Sequence, residues 1–253
     1  SKSSGCTRSF TAVPFLYNEA RLWDAKDGVL IISQWDEVYR SVDSGDNWEN
    51  VIDNSLALYP RGFKTFCVCN HNGNKLMFLG EDYLNVPTRA KIWRSNDNGA
   101  TWTSFTTNNR STRFMAYDDV DNKIIVGMGS HNGENYYYTS TDGGLNWSHS
   151  SIGDSQTNAV SAYARLDFGS DNDAEWFSIK GNTSNEARLF KNGVSVWNGA
   201  IHSDIYDIAD IKGWDSNSIF YGTANTNSGG ALQLWYYHAT HGEHLIYDWG
   251  GGY

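Results

Sequence analysis

Three arginines of this sequence, Arg21, Arg61 and Arg113, each fall at or just before the start of a predicted strand. A guanidinium group binds a carboxylate through two parallel hydrogen bonds, so arginines that converge can hold an acidic ligand. The three side chains could converge near a common axis if the strands that they begin form a closed ring.

Two other clusters contain the residue types that bind metal ions. His238, His241 and His244 recur at intervals of three around a glycine, and histidine is a common zinc ligand. Carboxylates that calcium could use are found at Asp118, Asp119, Asp121, Asp171 and Asp173. We interpret both clusters as ordinary surface and turn residues, because the histidines lack a fourth ligand and the aspartates occupy predicted turns. We predict no catalytic residues, no metal site and no cofactor.

The composition excludes several classes of protein. The 253 residues include 19 Lys and Arg against 29 Asp and Glu, with no basic run, so we predict no nucleic-acid partner. The longest run of strong hydrophobes covers residues 29–32. A bilayer span needs roughly 20 apolar residues, so no membrane insertion is predicted. The 25 glycines, 3 prolines and 15% aromatic residues favour many short strands.

An eight-residue pattern, SxDxGxxW, occurs at residues 41–48, 95–102 and 140–147. Each copy lies between strand-like runs and is predicted to form a hairpin turn. The Ser and Asp side chains bond nearby backbone groups, Gly adopts a positive φ, and Trp covers the end of the sheet. The predicted structural residues are Ser41, Asp43, Gly45, Trp48, Ser95, Asp97, Gly99, Trp102, Ser140, Asp142, Gly144 and Trp147.

The repeat length predicts the fold. The tryptophans of the three copies are 54 and 45 residues apart, about the length of a four-stranded propeller blade. β-rich runs that begin near residues 29, 76, 124, 176 and 218 give five repeats. An open row of such sheets would expose two apolar flanks, whereas a ring covers both. We therefore predict an all-β protein, a five-bladed β-propeller of four-stranded antiparallel blades.

The predicted boundaries follow from these repeats. In the second repeat the strands are expected near residues 64–69, 76–80, 90–95 and 102–106. A six-bladed ring is the alternative; it would need about 40 more residues, unless the amino-terminal segment and the tail form a sixth partial blade. Residues 1–253 are predicted to form a single domain. Its parts are a latch at 1–18 and blades at about 19–56, 57–108, 109–153, 154–200 and 201–253.

The SxDxGxxW pattern resembles the Asp-box, or bacterial neuraminidase repeat, of sialidases, some other glycosidases, sortilin-type receptors and lectins. The resemblance implies a β-propeller whose ligands bind on the face opposite the boxes. Amides, guanidinium groups and aromatic rings on that face suit sugars, although asparagine also simply favours loops. The predicted ligand-binding residues are Arg21, Trp35, Arg61, Tyr83, Arg113, Asn132, Asn158, Asn182, His202 and Asn225.

We predict a non-catalytic recognition module of the extracellular space or a virion surface, binding a glycan or glycoprotein. A sialidase also needs a Tyr nucleophile, its Glu partner and an Asp acid, and usually an Arg-Ile-Pro signature; this chain has Tyr-Pro-Arg at 59–61. One alternative is a protein-binding propeller scaffold. Another is a sialidase-like or other glycoside hydrolase that uses Glu81, Asp82, Glu186 or Asp204 with Tyr83.

Cys67 and Cys69 lie two residues apart in a predicted strand. Alternate side chains of a strand share a face, but their backbones are about 6–7 Å apart, beyond the usual range of an unstrained disulfide. We predict that the two do not bridge each other. Cys6 could pair with one of them only if the amino terminus packs alongside.

Overall fold

The computed structural model describes residues 20–34, 37–53, 62–82, 89–108, 111–129, 136–151, 159–166, 174–180, 188–192, 194–198, 207–215, 217–224, 232–238 and 240–248. The regular elements of these residues are β-strands. Within them no helix has the length and apolar character that a membrane span requires. The predicted latch at residues 1–18 lies outside the described residues. The chain forms two compact units, residues 1–107 (unit one) and 108–253 (unit two).

Unit one contains two four-stranded antiparallel sheets, each with its strands in chain order. Sheet one comprises β1 (Arg21–Asp24), β2 (Leu30–Gln34), β3 (Glu37–Ser41) and β4 (Glu49–Asp53). Sheet two comprises β5 (Gly62–His71), β6 (Asn74–Asp82), β7 (Lys91–Ser95) and β8 (Thr103–Thr106).

Unit two contains three more such sheets among its described residues. Sheet three comprises β9 (Thr112–Asp118), β10 (Lys123–Met128), β11 (Tyr136–Ser140) and β12 (Ser148–Ser151). Sheet four comprises β13 (Ala159–Leu166), β14 (Ala174–Lys180), β15 (Arg188–Lys191) and β16 (Val194–Asn198). Sheet five comprises β17 (Asp207–Asp215), β18 (Ser218–Ala224), β19 (Leu232–His238) and β20 (Gly242–Asp248). The prediction of four-stranded antiparallel sheets is thus confirmed.

The second strand of each of the first three sheets supplies much of the core. Continuous apolar runs such as Leu76–Leu79 are typical of strands that are covered on both faces, and these residues are at most 2% exposed. In unit one, Ile31 and Val38 of sheet one join Met77 and Leu79 of sheet two in a single core cluster.

Sheet two is longer than the sequence pattern indicates. The predicted strands at 64–69 and 76–80 extend in the structure to Gly62–His71 and Asn74–Asp82. The added residues include buried polar side chains, among them Glu81 and Asp82. Hydrophobic periodicity misses them because their burial depends on partners that come from other strands.

The two ends of each sheet differ. At the turn end, the first strand leads into the second and the third leads into the fourth, as at residues 25–29 and 42–48 of sheet one. At the start end, the first and third strands begin and the second and fourth strands end. The three SxDxGxxW segments all lie at the turn ends of their sheets.

Candidate functional site

The SxDxGxxW turn of sheet two is held by its own polar side chains. Ser95 Oγ donates a hydrogen bond to Asp97 Oδ1 (2.8 Å) and accepts one from the Gly99 amide (2.9 Å). Thr101 donates its amide to Asp97 Oδ1 (2.9 Å) and its hydroxyl to Oδ2 (2.6 Å). Burial acts to raise the pKa of Asp97, but the hydrogen bonds from Thr101 and Ser95 outweigh it and lower that pKa to about 2. Trp102 donates its indole N–H to the Gly99 carbonyl (2.9 Å).

The other two turns repeat this arrangement. Asp43 accepts hydrogen bonds from the amide (2.9 Å) and side chain (2.7 Å) of Asn47, which lower its pKa to about 2. Asp142 accepts the same pair from Asn146 (2.9 and 2.7 Å), and these bonds outweigh burial to give a pKa of about 2. These carboxylates are ionised and committed to the turn, so they do not have the properties of acid catalysts.

Two of the ten predicted ligand-binding residues belong to the described part of the chain. Arg21 is the first residue of β1 and Arg113 the second residue of β9, and both side chains are exposed at the start ends of their sheets. The other eight lie outside it: Trp35, Arg61, Tyr83, Asn132, Asn158, Asn182, His202 and Asn225.

A β-bulge lies at the start end of sheet two. Phe63 pairs with Glu81 and Thr65 pairs with Gly80, so Lys64 is the extra residue between them. A bulge of this kind bends the strand and changes the direction of the extra side chain. Lys64 is not one of the ten predicted residues, and no glycine or other local signal in the sequence marks the bulge.

Sheet three has a bulge at the same register position. Thr112 pairs with Met128 and Phe114 pairs with Gly127, so Arg113 is the extra residue. Breaks in register also occur near the starts of β13 and β17, where the residues passed over are Ser161 and Ala209.

Sheet one lacks this bulge at its described start. Arg21 pairs directly with Ser33, which corresponds in register to Gly80 of sheet two. Arg21 therefore takes the register position of Thr65, whereas Lys64 takes that of Arg113.

Lys64 and Arg21 belong to one polar patch in unit one. Lys64 Nζ lies 2.5 Å from Asp82 Oδ2, and the Asp82 side chain is only 2% exposed. Arg21 Nη1 donates to the Lys64 carbonyl (3.5 Å). Ser33 Oγ donates to the Phe63 carbonyl (3.2 Å), which joins sheet one to sheet two. The patch presents two cationic groups with a buried carboxylate beneath one of them.

Glu81 is a structural carboxylate in this patch. It is fully buried, and its two oxygens accept hydrogen bonds from the Lys91 amide (2.9 Å) and the Trp93 indole N–H (2.7 Å). The Lys91 ammonium lies 5.3 Å from the centre of the Trp93 ring. Glu81 and Asp82 are candidate catalytic residues only in the hydrolase alternative; in the structure Glu81 accepts a hydrogen bond from Trp93 and Asp82 pairs with Lys64. Glu186, Asp204 and Tyr83 lie outside the described residues.

Gly129 gives Arg113 its space in unit two. A Cβ atom at Gly129 would lie 2.3 Å from Ser111 Oγ and 3.0 Å from Arg113 Nε. The Gly129 amide donates to the Ser111 carbonyl (2.7 Å), and Ser111 and Thr112 are at most 4% exposed. The exposed Arg113 side chain thus follows two buried residues, Ser111 and Thr112, and Ser111 packs tightly against Gly129.

The described members of the two possible metal clusters lie at strand ends or in the turns next to them, except His244, which lies within β20. Among the described residues no group of three His, Cys, Asp or Glu side chains has the geometry to hold a metal ion. His238 Nδ1 accepts a hydrogen bond from the Thr240 amide (3.0 Å). Asp118 Oδ1 accepts from the amides of Val120 (3.1 Å) and Asp121 (3.3 Å). Asp171 and Asp173 are not in the described ranges.

Comparisons with known proteins support the propeller fold. Residues 36–206, about two thirds of the chain, match the Sortilin-Vps10 family, described as sortilin, neurotensin receptor 3. No curated protein sequence matches the chain at a significant level.

Solved structures resemble the chain in fold at low sequence identity. An ancestral GH74 enzyme matches with a TM-score of 0.62 and 12% identity over 91% of this chain and 32% of its own. A Trypanosoma rangeli sialidase in complex with 2,3-difluorosialic acid matches with a TM-score of 0.55 and 13% identity over 92% of this chain and 48% of its own. The NanB sialidase from Streptococcus pneumoniae matches with a TM-score of 0.54 and 10% identity over 93% of this chain and 62% of its own. The chain therefore spans about a third of the GH74 enzyme and less than two thirds of either sialidase.

Proposed function

The chain belongs to the Sortilin-Vps10 family, and we propose that it is a non-catalytic, extracellular or virion-surface recognition module. In this proposal the five sheets are the blades of a β-propeller, and the SxDxGxxW turns are its Asp-boxes. Its ligand is a glycan or glycoprotein, which binds at the start ends of the sheets, away from the SxDxGxxW turns.

The observation that carries the non-catalytic assignment is the state of Glu81 and Asp82. Glycoside hydrolysis ordinarily needs two carboxyl groups about 5 to 10 Å apart that face the scissile bond. Glu81 is fully buried with both oxygens hydrogen-bonded, and Asp82 is buried against Lys64. Neither is available to protonate or attack a ligand.

The cationic side chains support binding at the start ends. Lys64 and Arg113 project from bulges, and Arg21 lies beside Lys64. The net charge of the chain is −10, so the exposed Arg21 and Arg113 and the half-buried Lys64 contrast with the rest of the molecule. Guanidinium and ammonium groups donate to sugar hydroxyls and pair with sugar carboxylates. Trp35 and Tyr83, with the asparagines predicted above, would supply the stacking and amide contacts.

A glycan array followed by titration calorimetry tests this proposal. We expect at least one glycan ligand, and Arg113→Ala is expected to weaken its binding about tenfold or more. Lys75→Ala is the matched control, because Lys75 is a basic residue at the turn end, where it pairs with the exposed Asp27. An array without any carbohydrate ligand, or equal losses in the two variants, would reject the glycan assignment.

A protein ligand is the second candidate, because the matched family is that of the receptor sortilin. The two candidates differ in their dependence on sugar. If a protein partner captured from the native source keeps its affinity after enzymatic removal of its glycans, the protein-binding scaffold is the better assignment.

Hydrolysis is tested separately. The structural neighbours include enzymes named as sialidases, but they share 10–13% identity with this chain. We expect no turnover of chromogenic glycosides, sialosides included. Turnover that exceeds a heat-denatured control would overturn the non-catalytic assignment.

A further inference from the structure

Lys64 forms an ion pair with a buried carboxylate at the start end of sheet two. Its Nζ lies 2.5 Å from Asp82 Oδ2, and the two side chains are 24% and 2% exposed. Lys64 is the extra residue of the bulge in β5, whereas Asp82 is the last residue of β6. The positive charge of Lys64 is therefore opposed, at contact distance, by a negative charge that little water can screen.

Sheet three has no carboxylate at the corresponding position. Asp82 and Gly129 are each the second residue after the glycine that pairs beside the bulge of its own sheet. Gly129 thus takes the register position of Asp82, just as Arg113 takes that of Lys64. Among the described residues no carboxylate forms an ion pair with Arg113. The repeat therefore combines a cation with a carboxylate in sheet two, but a cation with a glycine in sheet three.

The Lys64 ammonium can still donate to a ligand. It has three N–H donors, and a single ion pair does not use them all. An uncharged oxygen can accept such a hydrogen bond without bringing more negative charge near Asp82. A carboxylate or a sulfate brings a second negative charge close to the buried Asp82, and like charges at short range repel each other. The ion pair therefore favours an uncharged acceptor over an anionic one.

Arg21 is the other cation of this patch. Its Nη1 donates to the Lys64 backbone carbonyl (3.5 Å), and its side chain is exposed to solvent. Solvent and salt screen an exposed charge more strongly than a buried one. Arg21 is present whether or not residue 82 is charged, so a comparison of variants at Asp82 isolates the effect of the ion pair.

The following inference rests on the proposed function. We propose that Asp82 neutralises the charge of Lys64 and so makes Lys64 a hydrogen-bond donor for an uncharged oxygen of the glycan. That oxygen is a hydroxyl or an acetamido carbonyl of a neutral sugar. Asp82 is a positioning residue that acts through Lys64, and it makes this part of the start end select against acidic groups.

A glycan array of neutral glycans and O-sulfated forms of the same glycans, followed by titration calorimetry, tests the inference. Asp82→Asn keeps the shape of the side chain but removes its charge. We expect the ratio of sulfated to neutral affinity to rise about fivefold or more, because hydrogen bonds to charged groups are the stronger ones. Added salt should reduce this gain. Asp27→Asn is the matched control, because it makes the same change in the exposed pair with Lys75 at the turn end, and its ratio should stay the same.

The array also identifies the acceptor. It carries glycans that end in a hexose and glycans that end in an N-acetylhexosamine. Lys64→Gln should weaken hexose-ended glycans if the acceptor is a hydroxyl, and only N-acetylhexosamine-ended glycans if it is the acetamido carbonyl.

The unfolding midpoint of each variant shows whether it is folded. If Asp82→Asn does not fold, Lys64→Gln carries the test, because its amide can still donate to the buried Asp82. A neutralised Lys64 serves both forms alike, so Lys64→Gln should weaken the bound neutral glycan and its sulfated form by the same factor, about threefold or more.

Three results would overturn the inference: an unchanged ratio in folded Asp82→Asn, a larger loss for the sulfated form in Lys64→Gln, or no loss for either form. An array without any glycan ligand would instead reject the proposed function itself. The two failures are therefore distinguishable.

Discussion

Lys64 and Arg113 occupy the same register position in two different sheets. Each is the extra residue of a β-bulge near the beginning of the first strand, opposite a glycine of the second strand. Bulges are frequent next to binding sites because they redirect a side chain without disturbing the rest of the ladder. Two of the five sheets, one in each unit, thus have a basic side chain at this position, and both positions enter the proposal of ligand binding at the start ends.

The space around Arg113 can be tested with Gly129→Ala. The added methyl would lie 2.3 Å from Ser111 Oγ, so the buried Ser111 has to shift. We expect a loss of about 1–3 kcal/mol in the free energy of unfolding, typical of overpacking, together with weaker ligand binding. Gly222→Ala, where a Cβ meets no atom within 4 Å, is the control. Urea unfolding measures the stability of both variants. Similar losses of stability in the two would contradict the packing argument.

Glu81→Gln tests whether Glu81 is structural. A glutamine amide offers only one oxygen, so its NH₂ group would face either the Lys91 amide or the Trp93 indole N–H, which are both donors. A buried donor left unpaired costs about 1–3 kcal/mol. We expect this loss in urea unfolding and a shift in Trp93 fluorescence. A variant as stable as the unaltered protein would show that Glu81 is free for another role.

Gly99→Ala tests the packing of the SxDxGxxW turn in sheet two. Gly99 has φ +80°, and an added Cβ would lie 3.0 Å from Ile31 Cδ1. Gly73 has φ +81° and open space around it, so Gly73→Ala measures the backbone strain alone. That strain is about 1–2 kcal/mol. Thermal unfolding should show that Gly99→Ala loses about 1 kcal/mol more stability than Gly73→Ala. Equal losses of stability in the two variants would mean that the turn does not pack against sheet one.

The turn aspartates predict the response to acid. The pKa of Asp97 is lowered from 3.8 to about 2 in the folded state, and Asp43 and Asp142 behave alike. A lowered pKa contributes stability above pH 4, and this contribution is lost as the pH falls from about 4 to 2. Thermal unfolding midpoints measured from pH 6 to 2 should decrease mainly between about pH 4 and pH 2. The fall should be shallower in Asp97→Asn, and an unchanged slope would argue against the ionised turn.

The turns were largely predictable from sequence because their chemistry is local. Ser95, Asp97 and Gly99 lie within five residues, and their hydrogen bonds stay inside that segment. The bulges at Lys64 and Arg113 and the burial of Glu81 depend on partners elsewhere in the chain, so periodicity does not reveal them. Two of the three predicted arginines, Arg21 and Arg113, do lie at strand starts, and Arg61 lies outside the described residues. The register, which residue type does not reveal, decides which basic groups are equivalent.

Hydrogen exchange of the chain with and without its ligand tests the central claim most directly, because it reports which ends of the sheets are covered. We expect ligand-dependent protection in the segments that begin β5 and β9, residues 62–66 and 111–115. The SxDxGxxW turns at 41–48, 95–102 and 140–147 should exchange at unchanged rates. Protection confined to those turns would contradict the account, because it would place the ligand at the opposite ends of the sheets.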